Sequence, residues 1–186
     1  MKDVALIVID VQNDFVEEGA LIEVESIRQG LQHLREFISF CRDKGATIIF
    51  TKHLFDPKLN PVEAKLFPSL HKSGLREGSK GAEIHSEVFP EESDLVITKR
   101  RYDAFFGTEL EQILREKGIE KVIITGTMTE VCCESTARSA MYRDFEVLFV
   151  SDLTFTSDSE VHKNTLKTIK SHFGEVMDSK EIIDLL

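Results

Sequence analysis

Five short apolar runs, at residues 4–9, 46–51, 95–98, 121–125 and 146–151, are rich in valine and isoleucine and do not alternate with polar residues. A strand wetted on one face alternates apolar and polar side chains. Uninterrupted runs of this length therefore describe strands covered on both faces, as parallel strands are. The segments between them have helical spacing. Ile27, Leu31, Leu34, Phe37, Ile38 and Cys41 recur along one face, with Ser26 placed as a cap and Gly45 as the stop. Thr108 and Glu111 read as a capping box for a helix running to Gly118. A third helix is expected from about Thr129 through Tyr142 and a fourth over 160–172. A short strand at 175–177 then precedes a closing helix over 180–186.

Strands and helices that alternate this strictly imply an α/β fold, because right-handed crossovers place helices on both faces of a parallel sheet. The expected architecture is a three-layer α/β/α sandwich with a doubly wound, six-stranded parallel sheet. At 186 residues and 41% hydrophobic content, one domain with one full core is the expectation. The irregular stretch 52–92 holds all four prolines, with a helical turn expected around 81–87. Loops of that length in a small domain often serve as lids or substrate walls.

Composition removes several functions. A net charge of -10 repels polyanions, so no nucleic-acid partner is expected. Three cysteines, two of them adjacent at Cys132 and Cys133, do not make a secreted disulfide framework and fit a reducing compartment. The chain enters its first strand directly, and no apolar stretch approaches the length of about 18 residues that a spanning helix needs. A cytoplasmic protein with no membrane partner is expected. Neither a Gly-x-Gly-x-x-Gly turn nor a phosphate loop is present, so no cofactor is expected.

Ligands of open parallel sheets bind at the carboxyl ends of the strands, near the reversal of strand order. Three residues stand at such ends. Asp10 follows 6–9, where an aspartate serves either as a turn residue or as a functional carboxylate. Lys99 follows 96–98 and is either a solvated member of the basic run 99–101 or a desolvated ammonium that lowers the pKa of a nearby thiol. Residues 126–129 form a strand-to-helix turn, with Thr129 as N-cap and Cys132 in the first helical turn. Free amides and the helix dipole there stabilise a thiolate and serve an oxyanion. Cys133 faces another direction and reads as a small buried apolar residue. A carboxylate, an ammonium and a thiol at three strand ends make a nucleophile with its base and its cation.

Residues 5–15, 99–110 and 126–138 together resemble the isochorismatase-like, or cysteine hydrolase, superfamily over nearly the whole chain. The resemblance implies Cys132 as nucleophile, Asp10 as its base and Lys99 as the cation holding both. It also implies a non-proline cis peptide between Thr127 and Met128, with the amides of Met128 and Cys132 as the oxyanion hole. Phe15, Tyr102 and Phe105 are expected at the substrate, and Phe106 in the core. The implied reaction attacks a carbonyl carbon, releases ammonia or an amine, and hydrolyses the thioester. A small amide or ureido compound is the expected substrate. Members of the family form homodimers or homotetramers, and the same is expected here.

Departures from the family pattern narrow the choice. Nicotinamidases carry an Asp-x-His pair where this chain has His53 and Phe55, so nicotinamide is disfavoured. His53, His71 and His85 lack metal-ligand spacing and read as solvated loop histidines, so no metal is expected. Asp103 stands where the family has a serine. The alternatives are an isochorismatase-type ether hydrolase, a catalytically silent ligand-binding protein, and a redox-sensing thiol protein.

Overall fold

Val4–Ile9 forms the first strand, β1, and all six of its side chains are buried. Successive side chains point to opposite faces. Val4, Leu6 and Val8 accordingly enter one apolar cluster, while Ala5, Ile7 and Ile9 enter another. The computed structural model describes residues 1–185, with the side chains of Ser69 and His71 outside the described set. The expectation for His71, and the last residue of the expected closing helix, Leu186, thus lie outside the described residues.

After β1 come α1 (Asn13–Val16), α2 (Glu25–Asp43), β2 (Thr47–His53), α3 (Pro61–Leu66), α4 (Pro68–Lys72) and β3 (Leu95–Lys99). The second half holds α5 (Leu110–Glu116), β4 (Lys121–Thr127), α6 (Glu134–Met141), β5 (Glu146–Phe155), α7 (Ser159–His172), β6 (Glu175–Met177) and α8 (Ser179–Leu185). The six strands lie in the order β3-β2-β1-β4-β5-β6, and every pairing is parallel. Helices α1, α2 and α8 contribute to the first cluster, and α5, α6 and α7 to the second. The doubly wound three-layer sandwich is therefore present. Strand order reverses between β1 and β4, which opens a crevice at their carboxyl ends. Among the described residues no helix is long and apolar enough to cross a membrane.

α2 buries the six residues that its periodicity marks. It ends in a Schellman motif: the Ala46 N–H reaches the Cys41 carbonyl at 3.0 Å, and the Gly45 N–H reaches Arg42 at 2.9 Å. Gly45 takes the left-handed conformation (φ 80°) that this ending needs.

Helix starts differ from the sequence reading. Ser26 does not cap α2; its hydroxyl donates to the Thr156 carbonyl at 2.8 Å and ties the helix to the chain beyond β5. No capping box opens α5. Thr108 instead donates to the Ala104 carbonyl at 2.5 Å, and the helix begins at Leu110. Thr129 opens a π-helical turn, Thr129–Cys133, and α6 starts only at Glu134. In 52–92 the structure adds α3 and α4, each with a proline in its first turn, where the missing N–H is not needed. The expected turn near 81–87 resolves into two single turns, Lys80–Ala82 and Ser86–Val88.

Candidate active site

Asp10 leaves β1 in the left-handed region (φ 49°), which costs a residue with a side chain about 1–2 kcal/mol. Local contacts hold it there. Its N–H donates to Thr51 Oγ1 at 3.1 Å, the Thr51 hydroxyl donates back to Asp10 Oδ1 at 2.6 Å, and its carbonyl accepts from the Gln12 N–H at 2.8 Å. The buried Gln12 amide donates to the carbonyls of His53 and Ala82 and accepts from the His53 N–H. The ends of β1 and β2 are thereby locked together. On the other side Gly126 of β4 pairs in register with Ile9. At its φ of 109° a Cβ would stand 2.1 Å from the Ile9 carbonyl oxygen, so only glycine allows this approach. The next peptide but one, Thr127–Met128, is cis, in agreement with the resemblance.

Lys99 ends β3 as a fully buried side chain, which excludes the solvated-cation reading. Its Nζ lies 2.7 Å from Asp10 Oδ2 and donates to the Arg101 carbonyl at 3.0 Å. Cys132 is 3% exposed, and its thiol feels both the Asp10 carboxylate and the Lys99 ammonium. His53, the register partner of Lys99, completes the cluster. One ligand atom each from Asp10, His53 and Cys132 lie within 4.8 Å of one another.

Cys132 opens onto a cavity of about 340 Å³. Phe15, Ile22, Leu75, Met128 and Val131 make much of its wall, and His53, Tyr102 and Glu130 supply polar groups. A wider groove of about 560 Å³, lined by His33, Asp152 and His162, lies between α2 and the end of β5 and reaches none of the clustered residues.

Burial governs the electrostatics. It pushes His53 down to about 3, helped by Lys99, so the imidazole is neutral. Burial alone would lower Lys99, but the Asp10 carboxylate beside it outweighs that effect and holds the ammonium above its ordinary range. The Cys132 thiol is driven up by burial, with Lys99 opposing. This corrects the expectation of a thiolate at a helix start: the thiol sits in a π-helical turn, is enclosed, and keeps its proton at rest. Burial also raises Cys133 and takes Cys41 to about 12. All three cysteines are free and buried, whereas a redox sensor needs an accessible thiol of low pKa.

The other expected residues divide. Phe15 and Tyr102 line the cavity, and the phenol is kept neutral by burial and by Glu63. Phe105 does not line it: it stacks on Phe145 with centroids 6.0 Å apart and belongs to the second core. Phe106, expected in the core, is 63% exposed. Asp103 is turned away as well, accepting from the Ser139 hydroxyl at 2.7 Å and the Phe105 N–H at 2.8 Å, so it ties its loop to α6. His53 is a buried strand end rather than a solvated loop residue. His85 accepts from the Glu87 N–H at 3.4 Å and caps a single turn. Glu130 escaped notice because nothing in its sequence neighbours separates a cavity carboxylate from a surface one. For His53, extension of the second apolar run to meet Lys99 in register was the available signal.

Asp10, His53 and Cys132 are the one group of three metal-ligating side chains among the described residues. The Lys99 ammonium already supplies positive charge 2.7 Å from the Asp10 carboxylate and opposes a second cation.

A parallel α/β sheet with a thiol, a carboxylate and an ammonium enclosed at its topological switch point defines a class of fold and site. Residues 4–181 match the isochorismatase domain model, and the chain belongs to the isochorismatase family. It is 31% identical to the ureidoacrylate amidohydrolase RutB of Yersinia enterocolitica, over 94% of this chain and 85% of the relative. Among solved structures, a cysteine hydrolase from Pseudomonas syringae superposes with a TM-score of 0.92 at 26% identity, covering 98% of this chain and 92% of the other. N-carbamoylsarcosine amidase from Thermoplasma acidophilum gives 0.84 at 25% identity, covering 95% and 96%.

Proposed function

We propose that this protein hydrolyses a C–N bond in a small amide or ureido compound through a thioester on Cys132. The observation that carries the reading is the enclosed cluster itself, in which the Cys132 thiol faces the Asp10–Lys99 ion pair at the cavity wall. The names of the ureidoacrylate and N-carbamoylsarcosine relatives support ureido substrates.

Asp10 takes the thiol proton as Sγ attacks the carbonyl carbon, and Lys99 stays protonated to hold the negative charge that gathers there. The amides of Met128 and Cys132 donate to the oxyanion. Collapse expels ammonia or an amine, which leaves with the proton held by Asp10. Water then attacks the thioester, Asp10 takes its proton, and the thiol is restored as the acid departs. Phe15 and Tyr102 hold the substrate. Four exposed apolar side chains, Leu59, Val62, Leu66 and Phe67, support assembly into a homodimer or homotetramer, and a monomer mass in light scattering overturns that part.

Ammonia release from a panel of amides and ureido compounds tests the reaction. Cys132→Ala is expected to lose at least about a thousandfold in turnover. Undiminished turnover in that variant overturns the thioester mechanism, and cleavage of an isochorismate-type ether without ammonia favours the ether reading.

A further inference from the structure

We propose that Glu130 makes the cavity select substrates whose group beyond the scissile C–N unit is uncharged or cationic, and reject those carrying a carboxylate there. The inference rests on the hydrolase reading above and names its substrate class.

Glu130 stands two residues before Cys132 in the same π-helical turn and lines the same cavity. Its Oε1 accepts from the Thr156 hydroxyl at 2.9 Å, which fixes the carboxylate. Its Oε2 is buried and has no hydrogen-bond partner. A buried acceptor without a donor is costly, so a ligand that brings an N–H or an ammonium gains an interaction that the empty site lacks.

Nothing in the wall offsets a ligand's negative charge. Among the described residues lining the cavity there is neither lysine nor arginine. The Lys99 ammonium is committed to Asp10 and to the Arg101 carbonyl. His53 is neutral, and the Tyr102 hydroxyl, also buried without a partner, carries no charge. A substrate carboxylate would be stripped of water and set against a second carboxylate. The remaining wall, with Ile22, Leu75 and Val131, suits a short hydrocarbon. Rejection by an unpaired like charge is how such a site discriminates between ligands of equal size.

The test uses three ureas of similar length: propylurea, 2-aminoethylurea and 3-ureidopropionate, which are uncharged, cationic and anionic. In the wild type, kcat/KM for the first two is expected to exceed that for the third by at least about tenfold. Glu130→Gln keeps an oxygen for Thr156, removes the charge and puts an N–H donor in place of the second oxygen, and it should narrow the gap by at least about tenfold. A wild type that prefers 3-ureidopropionate overturns the proposal, as does a folded Glu130→Gln protein with an unchanged ratio. Calorimetric binding of the same three compounds to Cys132→Ala reads selection without turnover. If the order persists in binding while the wild type releases no ammonia from any of them, selection holds and the hydrolase reading fails. If none binds, or binding ignores charge, selection itself is overturned.

Discussion

The Asp10 carboxylate and the Lys99 ammonium meet at 2.7 Å with both side chains fully buried, although β2 lies between the strands that carry them. Each charge is tolerable only because the other is present. Taking one ion out of water costs several kcal/mol, and the partner offsets that cost only while the geometry holds. The pair thus couples stability to the site, and Cys132 is held against a cation and a base at once.

Removing either partner should leave a buried uncompensated charge. Asp10→Asn and Lys99→Met are each expected to cost about 3–5 kcal/mol in denaturant unfolding. The double variant should be more stable than the sum of the single losses implies, because neither charge remains. Additive losses would show that the two side chains act independently.

Cys132 should be a slow nucleophile until substrate arrives. Because burial pushes its thiol up, iodoacetamide labelling at pH 7 is expected to be slower than for an exposed cysteine, rising with pH beyond 9. Lys99 is the group that lowers this thiol, so Lys99→Met should label more slowly still at any given pH. Rapid labelling of the ligand-free wild type at pH 6–7, followed by mass spectrometry, contradicts the burial argument.

His53 gives the stability curve an acid limb. Its folded value of about 3 lies below the ordinary value of about 6.5 that it has when unfolded. Between the two, the unfolded chain binds a proton that the folded chain refuses, so stability falls as pH drops through this window. The loss by pH 4.5 is about 2–3 kcal/mol. His53→Gln lacks this titration, so the stability difference between variant and wild type should move in the variant's favour as pH falls below 6.5. Parallel curves in urea at pH 7 and pH 4.5 would rule it out.

Phe105 and Tyr102 should separate core from cavity. Phe105→Ala is expected to cost about 3–5 kcal/mol while leaving kcat/KM of the folded enzyme within about threefold of the wild type. Tyr102→Phe removes a buried hydroxyl that has no partner, so stability should stay within about 1 kcal/mol of the wild type or rise. A raised KM in that variant, with kcat retained, marks the phenol as a substrate contact. The reverse pattern for the pair would return Phe105 to the substrate wall.

The layer architecture was legible because it depends on side-chain periodicity alone. The apolar runs at 4–9 and 46–51 could not be mistaken for half-wetted strands, and the face of α2 followed from six positions in helical register. The gathering of Asp10, Lys99 and Cys132 was legible too, since each ends or follows a strand and parallel strands deliver such ends to one edge. Helix starts were not. Ser26 and Thr108 have the right side chains for caps, but the Ser26 hydroxyl found a tertiary carbonyl, and Thr108, which donates to Ala104 and accepts from the Leu110 N–H, stands one residue before the cap position.

Local chemistry along the chain thus determined which residues form buried strands, which face each long helix buries, and which reactive groups arrive at one edge of the sheet. Burial and partner choice belonged to the tertiary structure. It enclosed Cys132 so that the thiol keeps its proton, took Phe105 into the core, brought His53 out of a supposed loop, and turned Glu130 toward the cavity. The physical reason is that desolvation and pairing depend on atoms distant in sequence. A central strand such as β1 declares its own burial through its pattern, although the edge strand β3 leaves Val96 exposed, whereas one polar side chain in a turn acquires its environment from everything packed around it.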